Sequence, residues 1–525
     1  MHSSTLAVML RRALLISVAA ITAAGAQEPF PGLEAYITKA VQTWKVPGLS
    51  IAVVRNDSVL YTKGFGVLSA GGTTPVNDQT LFEIGSSSKA FTATVVAMLV
   101  SDGKMRFDDR LAMYLPELKL ADPVANEAVT VRDALTHRSG IGRGELVWLG
   151  AGISRDEVLH RLRFIKPESP FRSRYSYQNM MFLAAGQAAG KAAGSSWDEL
   201  VRQRIFTPLG MTSSVTSWRG LSNPNVTTPH GMGERDSVYT KPHFGGENIA
   251  PAGAILSNAR DMAQWLRFQL ADGVVGGKRL VSNAALRETH TPQMLIGGGG
   301  GRGAAADSVR VTNFNTYAMG WIIEDYRHAL VWQHGGNTDG MTAAVGMLPE
   351  HKLGVAVLSN MASAQLPELI MRYIFDRQLG APMRDLSAET YARLMAARRR
   401  ADSLRVSQAS QPSKTEPPVP LSEFVGTYVD SLYGEATVTL TNQRLELKRG
   451  EWYGPLEFVA ANNFRWTIFP SSPTGPLNIK FEIGADGKVS GLYFGIAGDV
   501  TMLGRKAAPA SGRGGRGGAP PGDRR

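Results

Sequence analysis

The sequence predicts a fold of the α/β (α+β) class: an antiparallel sheet flanked by helices with a helical insertion, then a small all-β, barrel-like domain. Three observations predict it. Near the start, apolar runs at 49–54 and 59–61 flank Arg55-Asn56-Asp57-Ser58, which reads as a hairpin. Far along the chain, runs at 341–348 and 353–358 flank Pro349-Glu350-His351-Lys352, a second hairpin. After residue 421, Ala436, Val438 and Leu440 alternate with Thr437 and Thr439, and Asn442-Gln443 and Asp486-Gly487 mark turns between short strands. Helix-like segments, including 258–270, lie between the two hairpins, so the sheet is closed by distant chain segments.

Taken in order, the chain divides into five parts. Arg11-Arg12 precede an apolar stretch at 13–23 and then Ala24-Gly25-Ala26, the pattern of a secretory signal peptide (1–26) cleaved near Ala26. The mature protein is therefore expected to be periplasmic or secreted. No later stretch reaches the ~18 consecutive apolar residues of a spanning helix, so no transmembrane segment is expected. Residues 29–384 contain every motif with chemistry in it and include a Gly-rich loop at 297–306 that reads as flexible. Residues 385–420 read as a charged helical segment and a Pro-rich linker, 421–504 as the barrel-like domain, and 505–525 as a disordered Gly/Arg/Pro tail.

Composition narrows the function. The absence of cysteine excludes disulfides, a thiol nucleophile and thiolate metal sites. The net charge of +11 is concentrated at the ends: Arg11 and Arg12 in the signal segment, and a net +4 in the last twenty residues. The remaining +5 is ordinary for a chain this long, so no specific nucleic-acid partner is expected. No His/carboxylate cluster with metal-ligand spacing occurs, so no metal and no cofactor is expected. A small-molecule or peptide substrate is the expected partner, and the oligomeric state is left open.

Three motifs carry chemistry. Ser86-Ser87-Ser88-Lys89 opens an apolar run that stops at Asp102-Gly103 and reads as one buried helix. Ser86 falls at its N-terminus, where unpaired N–H groups favour developing negative charge, and Lys89 lies one turn on along the same face. A shielded lysine can lose its charge and take a serine proton. Tyr177 and Asn179 form a Y-x-N pair at the head of a second apolar helix. A tyrosine beside an ammonium group ionises more easily and can carry protons, and an asparagine offers a donor and an acceptor to a substrate amide. Trp332-Gln333-His334-Gly335-Gly336-Asn337 places glycines on a strand edge, where backbone N–H groups can face a substrate.

In this order, the three motifs resemble those of serine hydrolases related to class C β-lactamases. That family also includes D-alanyl-D-alanine carboxypeptidases, D-aminopeptidases and some esterases. Val46-Pro47-Gly48-Leu49, Val131-Arg132-Asp133-Ala134-Leu135-Thr136-His137-Arg138-Ser139-Gly140, Pro251-Ala252-Gly253-Ala254 and Tyr317-Ala318-Met319-Gly320-Trp321 strengthen the likeness, which spans about 32–379. It implies the β-lactamase/transpeptidase-like fold, and the block after the linker is similar to a small β-rich domain that often trails family members. It further implies Ser86 as an acyl-forming nucleophile, with Lys89 and Tyr177 as proton-transfer groups and the choice of base between them open. Asn179 would hold the substrate amide, and the Asn337 N–H would complete an oxyanion hole with that of Ser86. His334 stands where class C β-lactamases carry lysine, so it and Gly336 belong to a substrate subsite that does not demand a carboxylate. His137 reads as a residue fixing a turn. The implied function is acyl-enzyme hydrolysis of amides or esters, most directly of D-amino-acid peptides or small esters. The alternatives are a penicillin-binding or sensor protein without turnover, and a genuine β-lactamase.

Overall fold

The computed structural model describes residues 28–233, 236–296, 312–362, 364–409, 416–469, 476–496 and 499–506. The expected signal segment, the Gly-rich loop at 297–306, linker residues 411–415 and the tail beyond residue 506 lie outside these.

Eight strands form the main sheet: β1 (Gly48–Arg55), β2 (Ser58–Gly66), β3 (Met294–Leu295), β4 (Asn315–Tyr317), β5 (Ile322–Tyr326), β6 (Ala329–Asn337), β7 (Thr342–Leu348) and β8 (Leu353–Ser359). Their order is β2-β1-β8-β7-β6-β5-β4-β3, with antiparallel neighbours throughout. β1 therefore pairs with β8, Leu49 opposite Ser359, which is the closure the two hairpins implied. Asn56 and Asp57 turn the first hairpin at φ 50° and 62°, the left-handed pair that suits a two-residue loop.

β7 and β8 are buried along their whole length because helices cover both faces of the sheet. That is why they read as unbroken apolar runs. On one face, α1 (Leu33–Thr43) and α5 (Leu366–Gln378) bring Leu33, Ile37, Ile370 and Ile374 onto Leu49, Val355 and Val357. On the other lie α2 (Ser88–Ser101), α3 (Asn179–Ala193) and α4 (Ala259–Leu270), with Phe91, Phe182 and Trp265 in one core with Leu358. α2 is buried from Ser88 through Leu99, so its sequence carries no polar face. Asn258 caps α4, its side chain accepting from Asp261 N–H.

The next helix, α6 (Leu386–Ala409), is not merely part of a linker. Trp44 Nε1 donates to Ser387 Oγ at 2.8 Å, and Arg398 pairs with Asp236 at 3.0 Å, so the helix is fastened to the first domain.

Eight further strands close a barrel: β9 (Gly426–Asp430), β10 (Gly434–Thr441), β11 (Arg444–Arg449), β12 (Trp452–Ala460), β13 (Asn463–Trp466), β14 (Leu477–Ile483), β15 (Val489–Ile496) and β16 (Asp499–Arg505). Alternation sets its inside: along β11, Leu445, Leu447 and Arg449 are buried and their neighbours exposed. The barrel rests on the short helix Glu145–Trp148, whose Leu146 belongs to the barrel's own core with Phe424, Trp452 and Trp466. A Cβ at Gly150 would stand 2.2 Å from the Trp452 ring, so only glycine fits beneath it. Among the described residues, no helix is long and apolar enough to cross a membrane.

Candidate active site

Ser86 lies in a 3₁₀ turn, Gly85–Ser87, that feeds directly into α2, so it precedes the helix rather than opening it. Two glycines decide how close this turn comes to β6. A Cβ at Gly336 would meet the Ile84 carbonyl at 1.8 Å, and one at Gly85, where φ is 50°, would meet Asn337 N at 2.7 Å. Backbone therefore lies on backbone, with the N–H groups of Ser86 and Asn337 as neighbours. β5 pairs with β6 only as far as Gln333, so the stretch 334–337 runs on beside β7 alone and leaves its other edge to this turn. Ser87 and Ser88 are spent on the scaffold. Ser87 Oγ donates to the His334 carbonyl at 3.1 Å, and Ser88 Oγ accepts from Ile255 N–H at 3.2 Å. Ser86 alone of the three is partly exposed.

Lys89 Nζ lies 3.0 Å from Ser86 Oγ, 2.7 Å from Asn179 Oδ1 and 2.8 Å from the Ala252 carbonyl. Its side chain is fully buried, and burial holds its pKa well below that of a free lysine, against the opposing pull of Glu145. A neutral amine has two protons and one lone pair. The two carbonyl oxygens can only accept, so they take the two protons, and the lone pair is left for the Ser86 hydroxyl. Tyr177 O–H donates to Ser86 Oγ at 2.7 Å from the other side. Burial pushes its pKa up, outweighing the help from Ser86 and Arg143, so it stays a phenol. This corrects the expectation that a neighbouring ammonium would ease its ionisation, since burial of the phenol itself outweighs the charges around it. The arrangement gives Ser86 one acceptor for its proton and one donor to its oxygen.

Asn179 heads α3, but both ends of its amide are used within the protein. Its oxygen accepts from Lys89, and Nδ2 donates to Glu145 Oε1 at 3.2 Å. Glu145 also pairs with Arg143 at 2.9 Å, and that guanidinium lies 5.1 Å from the Tyr177 ring centre. His334 is buried on β6, with Nε2 3.0 Å from Tyr317 Oη and Nδ1 2.6 Å from the Gly335 carbonyl. Burial lowers its pKa to about 3, so the ring is neutral at ordinary pH. Asn337 is exposed, its Oδ1 accepting from Thr342 Oγ1. His137, at φ 55°, accepts Gln178 N–H on Nδ1 at 3.0 Å, while its ring lies 4.2 Å from that of Tyr177, so it fixes the Tyr177 segment as the sequence suggested. Asp133 secures the same corner through Arg138, Arg172 and the Thr130 cap.

All seven sequence-designated residues thus lie around or beside the Ser86 turn, and four more belong with them. The Ala252 carbonyl and Tyr317 come from motifs whose role the sequence left blank. Arg143 and Glu145 had no local signal, since they sit in a loop and a single helical turn without periodicity. Among the described residues, no group of three or more His, Asp or Glu side chains is placed to hold a metal ion.

Comparison with known proteins agrees with this geometry. Residues 33–375 match the beta-lactamase family model, and 410–506 match a domain of unknown function, DUF3471. The unguisins hydrolase ungD of Aspergillus violaceofuscus is 25% identical over 439 residues, covering 78% of this chain and 76% of that protein. Among solved structures, the octameric penicillin-binding protein homologue from Pyrococcus abyssi superposes with a TM-score of 0.58 at 22% identity, over 90% of this chain and 99% of that one. A class C beta lactamase from Rhodobacter sphaeroides gives 0.54 at 21%, over 67% and 99%. With the family model covering well over half of its length, this chain belongs to the beta-lactamase family.

Proposed function

We propose that this protein is an exported serine hydrolase that cleaves amide or ester bonds through an acyl-enzyme on Ser86. The observation that carries the reading is Ser86 Oγ held between Lys89 Nζ at 3.0 Å and Tyr177 Oη at 2.7 Å. Lys89, uncharged, takes the Ser86 proton as the oxygen attacks the substrate carbonyl. The oxyanion that forms is met by the N–H groups of Ser86 and Asn337, each such donor being worth about 3 kcal/mol in the barrier. As the tetrahedral intermediate collapses, Tyr177 gives its proton to the leaving amine or alkoxide. The proton on Lys89 then passes to the Tyr177 oxygen and restores the phenol. Water enters by the reverse sequence and releases the acid. The assignment of base is thus Lys89, with Tyr177 as proton donor.

The proposed substrates are D-amino-acid-containing peptides or small esters. A neutral, internally bonded His334 at the third motif supplies no fixed charge for a substrate carboxylate, which argues against anionic β-lactams as the main substrate. The fold is that of the penicillin-binding protein homologue from Pyrococcus abyssi, and ungD is itself named a hydrolase. Export rests on the charged and apolar pattern of residues 1–26.

The test is a substrate panel of D-amino-acid amides, D-Ala-D-Ala peptides, p-nitrophenyl acetate and nitrocefin, with Ser86→Ala as control. Turnover of amides or esters that Ser86→Ala abolishes supports the reading. A stable penicillin adduct with no turnover would make the protein a binder, and nitrocefin turnover above all others would make it a β-lactamase.

A further inference from the structure

The barrel ends in contact with the short helix Glu145–Trp148, which reaches Lys89 through Asn179. Arg449 stands at an inward-facing position of β11, 2% exposed, where alternation calls for an apolar side chain. Its guanidinium donates to three carbonyl oxygens: Leu146, Leu149 at 3.3 Å and Tyr433 at 3.1 Å. No carboxylate is among these partners, and its Nε has none among the described residues. A buried cation without a counter-ion is costly to keep. What it satisfies is specific: Leu146 and Leu149 carry carbonyls at the end of the helix Glu145–Trp148, groups that a helix leaves unpaired. Trp452 closes over Gly150 just beyond, and Leu146 is buried in the barrel core.

The other end of that helix is Glu145. Its carboxylate accepts from Asn179 Nδ2, whose Oδ1 is 2.7 Å from Lys89 Nζ. A single turn of helix therefore runs from a barrel cation to the carboxylate that faces Lys89 through one amide.

We propose that the barrel is part of the catalytic device: Arg449, gripping the end of the Glu145–Trp148 helix, is a positioning residue that sets Glu145 as the counter-ion of Lys89 across Asn179. The barrel is then needed for the chemistry, although every reacting group lies in the first domain. The inference rests on Lys89 being the base in the proposed hydrolase. Five titratable or charged groups surround it: Tyr177, Arg143, Glu145, His137 and His334. The two histidines are held neutral by burial and Tyr177 stays protonated, so Glu145 and Arg143 are the fixed charges, and only Glu145 favours the ammonium.

The experiment compares pH profiles of kcat for p-nitrophenyl acetate in the full chain, wild type against Arg449→Met, Glu145→Gln and the double variant. Removing the Glu145 charge lets Lys89 lose its proton more easily, so the acid limb moves to lower pH, by about half to one unit. Arg449→Met is expected to move the limb the same way, with kcat down by about tenfold, and to add little on top of Glu145→Gln. Circular dichroism and thermal melting establish that each variant is folded. If Arg449→Met does not fold, Arg449→Lys, which keeps the charge but not the fork, is expected to give a smaller shift of the same sign. A folded Arg449 variant whose limb stays where it was, or whose effect simply adds to that of Glu145→Gln, overturns the proposal. The underlying hydrolase reading fails separately, if Ser86→Ala retains the wild-type rate.

Discussion

Lys89 in the first domain and Arg449 in the barrel are both basic side chains sealed from water. Their surroundings differ in what they allow. Lys89 touches two carbonyl oxygens and one hydroxyl, and burial holds its pKa well below the ordinary lysine value, so it can give up its charge. Arg449 donates to carbonyls and lies over the Phe494 ring, and burial lowers its pKa to about 10, which still leaves it charged at neutral pH. In the proposed reaction one buried base is thus a reagent and the other a clamp. The choice of residue follows: an ammonium can be discharged by its environment, whereas a guanidinium keeps its charge and grips several carbonyls at once.

The sharpest way to break this contrast is Lys89→Met, which keeps length and apolar bulk but removes the amine. Ester turnover is expected to fall by 10²–10⁴-fold or more, while circular dichroism remains unchanged. The same variant has a signature in stability. Lys89 is protonated in the unfolded chain below pH 10.5 but neutral in the folded one until pH falls below its depressed value. Over that window the unfolded state binds more protons, so wild-type stability declines as pH falls. Lys89→Met lacks this penalty, and its melting temperature relative to wild type is expected to rise steadily from about pH 10 downwards. A constant difference would mean that Lys89 is charged in the fold.

Next in size is Gly336→Ala. The added Cβ would enter the space of the Ile84 carbonyl, so β6 must draw back from the Ser86 turn. Loss of one oxyanion donor predicts a fall in kcat of about 10²-fold, with KM little changed, measurable by steady-state kinetics. The smallest expected effect is that of Tyr317→Phe, which deletes the partner of His334 Nε2 at 3.0 Å. About 1–2 kcal/mol of stability should be lost in denaturant unfolding, with kcat altered only several-fold, because His334 acts through the position of β6.

The contrast between the two buried side chains also explains what could be read from sequence. Ser86, Lys89, Tyr177 and Asn179 stand at the heads of long apolar helices, and local spacing alone brings each pair together. The two hairpins gave away the closure of the sheet because β1 and β8 are apolar throughout. The first barrel strands announced themselves by alternation. Glu145 escaped because it sits in a helix too short to show a period, and Arg449 because it acts across a contact between segments about three hundred residues apart. Arg449 did break the Leu445, Leu447 alternation, and a charge at an inward position was the one available hint. The link from Asn179 to Glu145 left no trace in the sequence for the same reason.

The central claim is that Ser86, activated by an uncharged Lys89, is the nucleophile. The most direct measurement is peptide mapping by mass spectrometry after brief reaction with a fluorophosphonate. The account predicts a single adduct on Ser86 in the wild type and slowed labelling at that same serine in Lys89→Met. An adduct on any other residue, or undiminished labelling of Ser86→Ala, would contradict it.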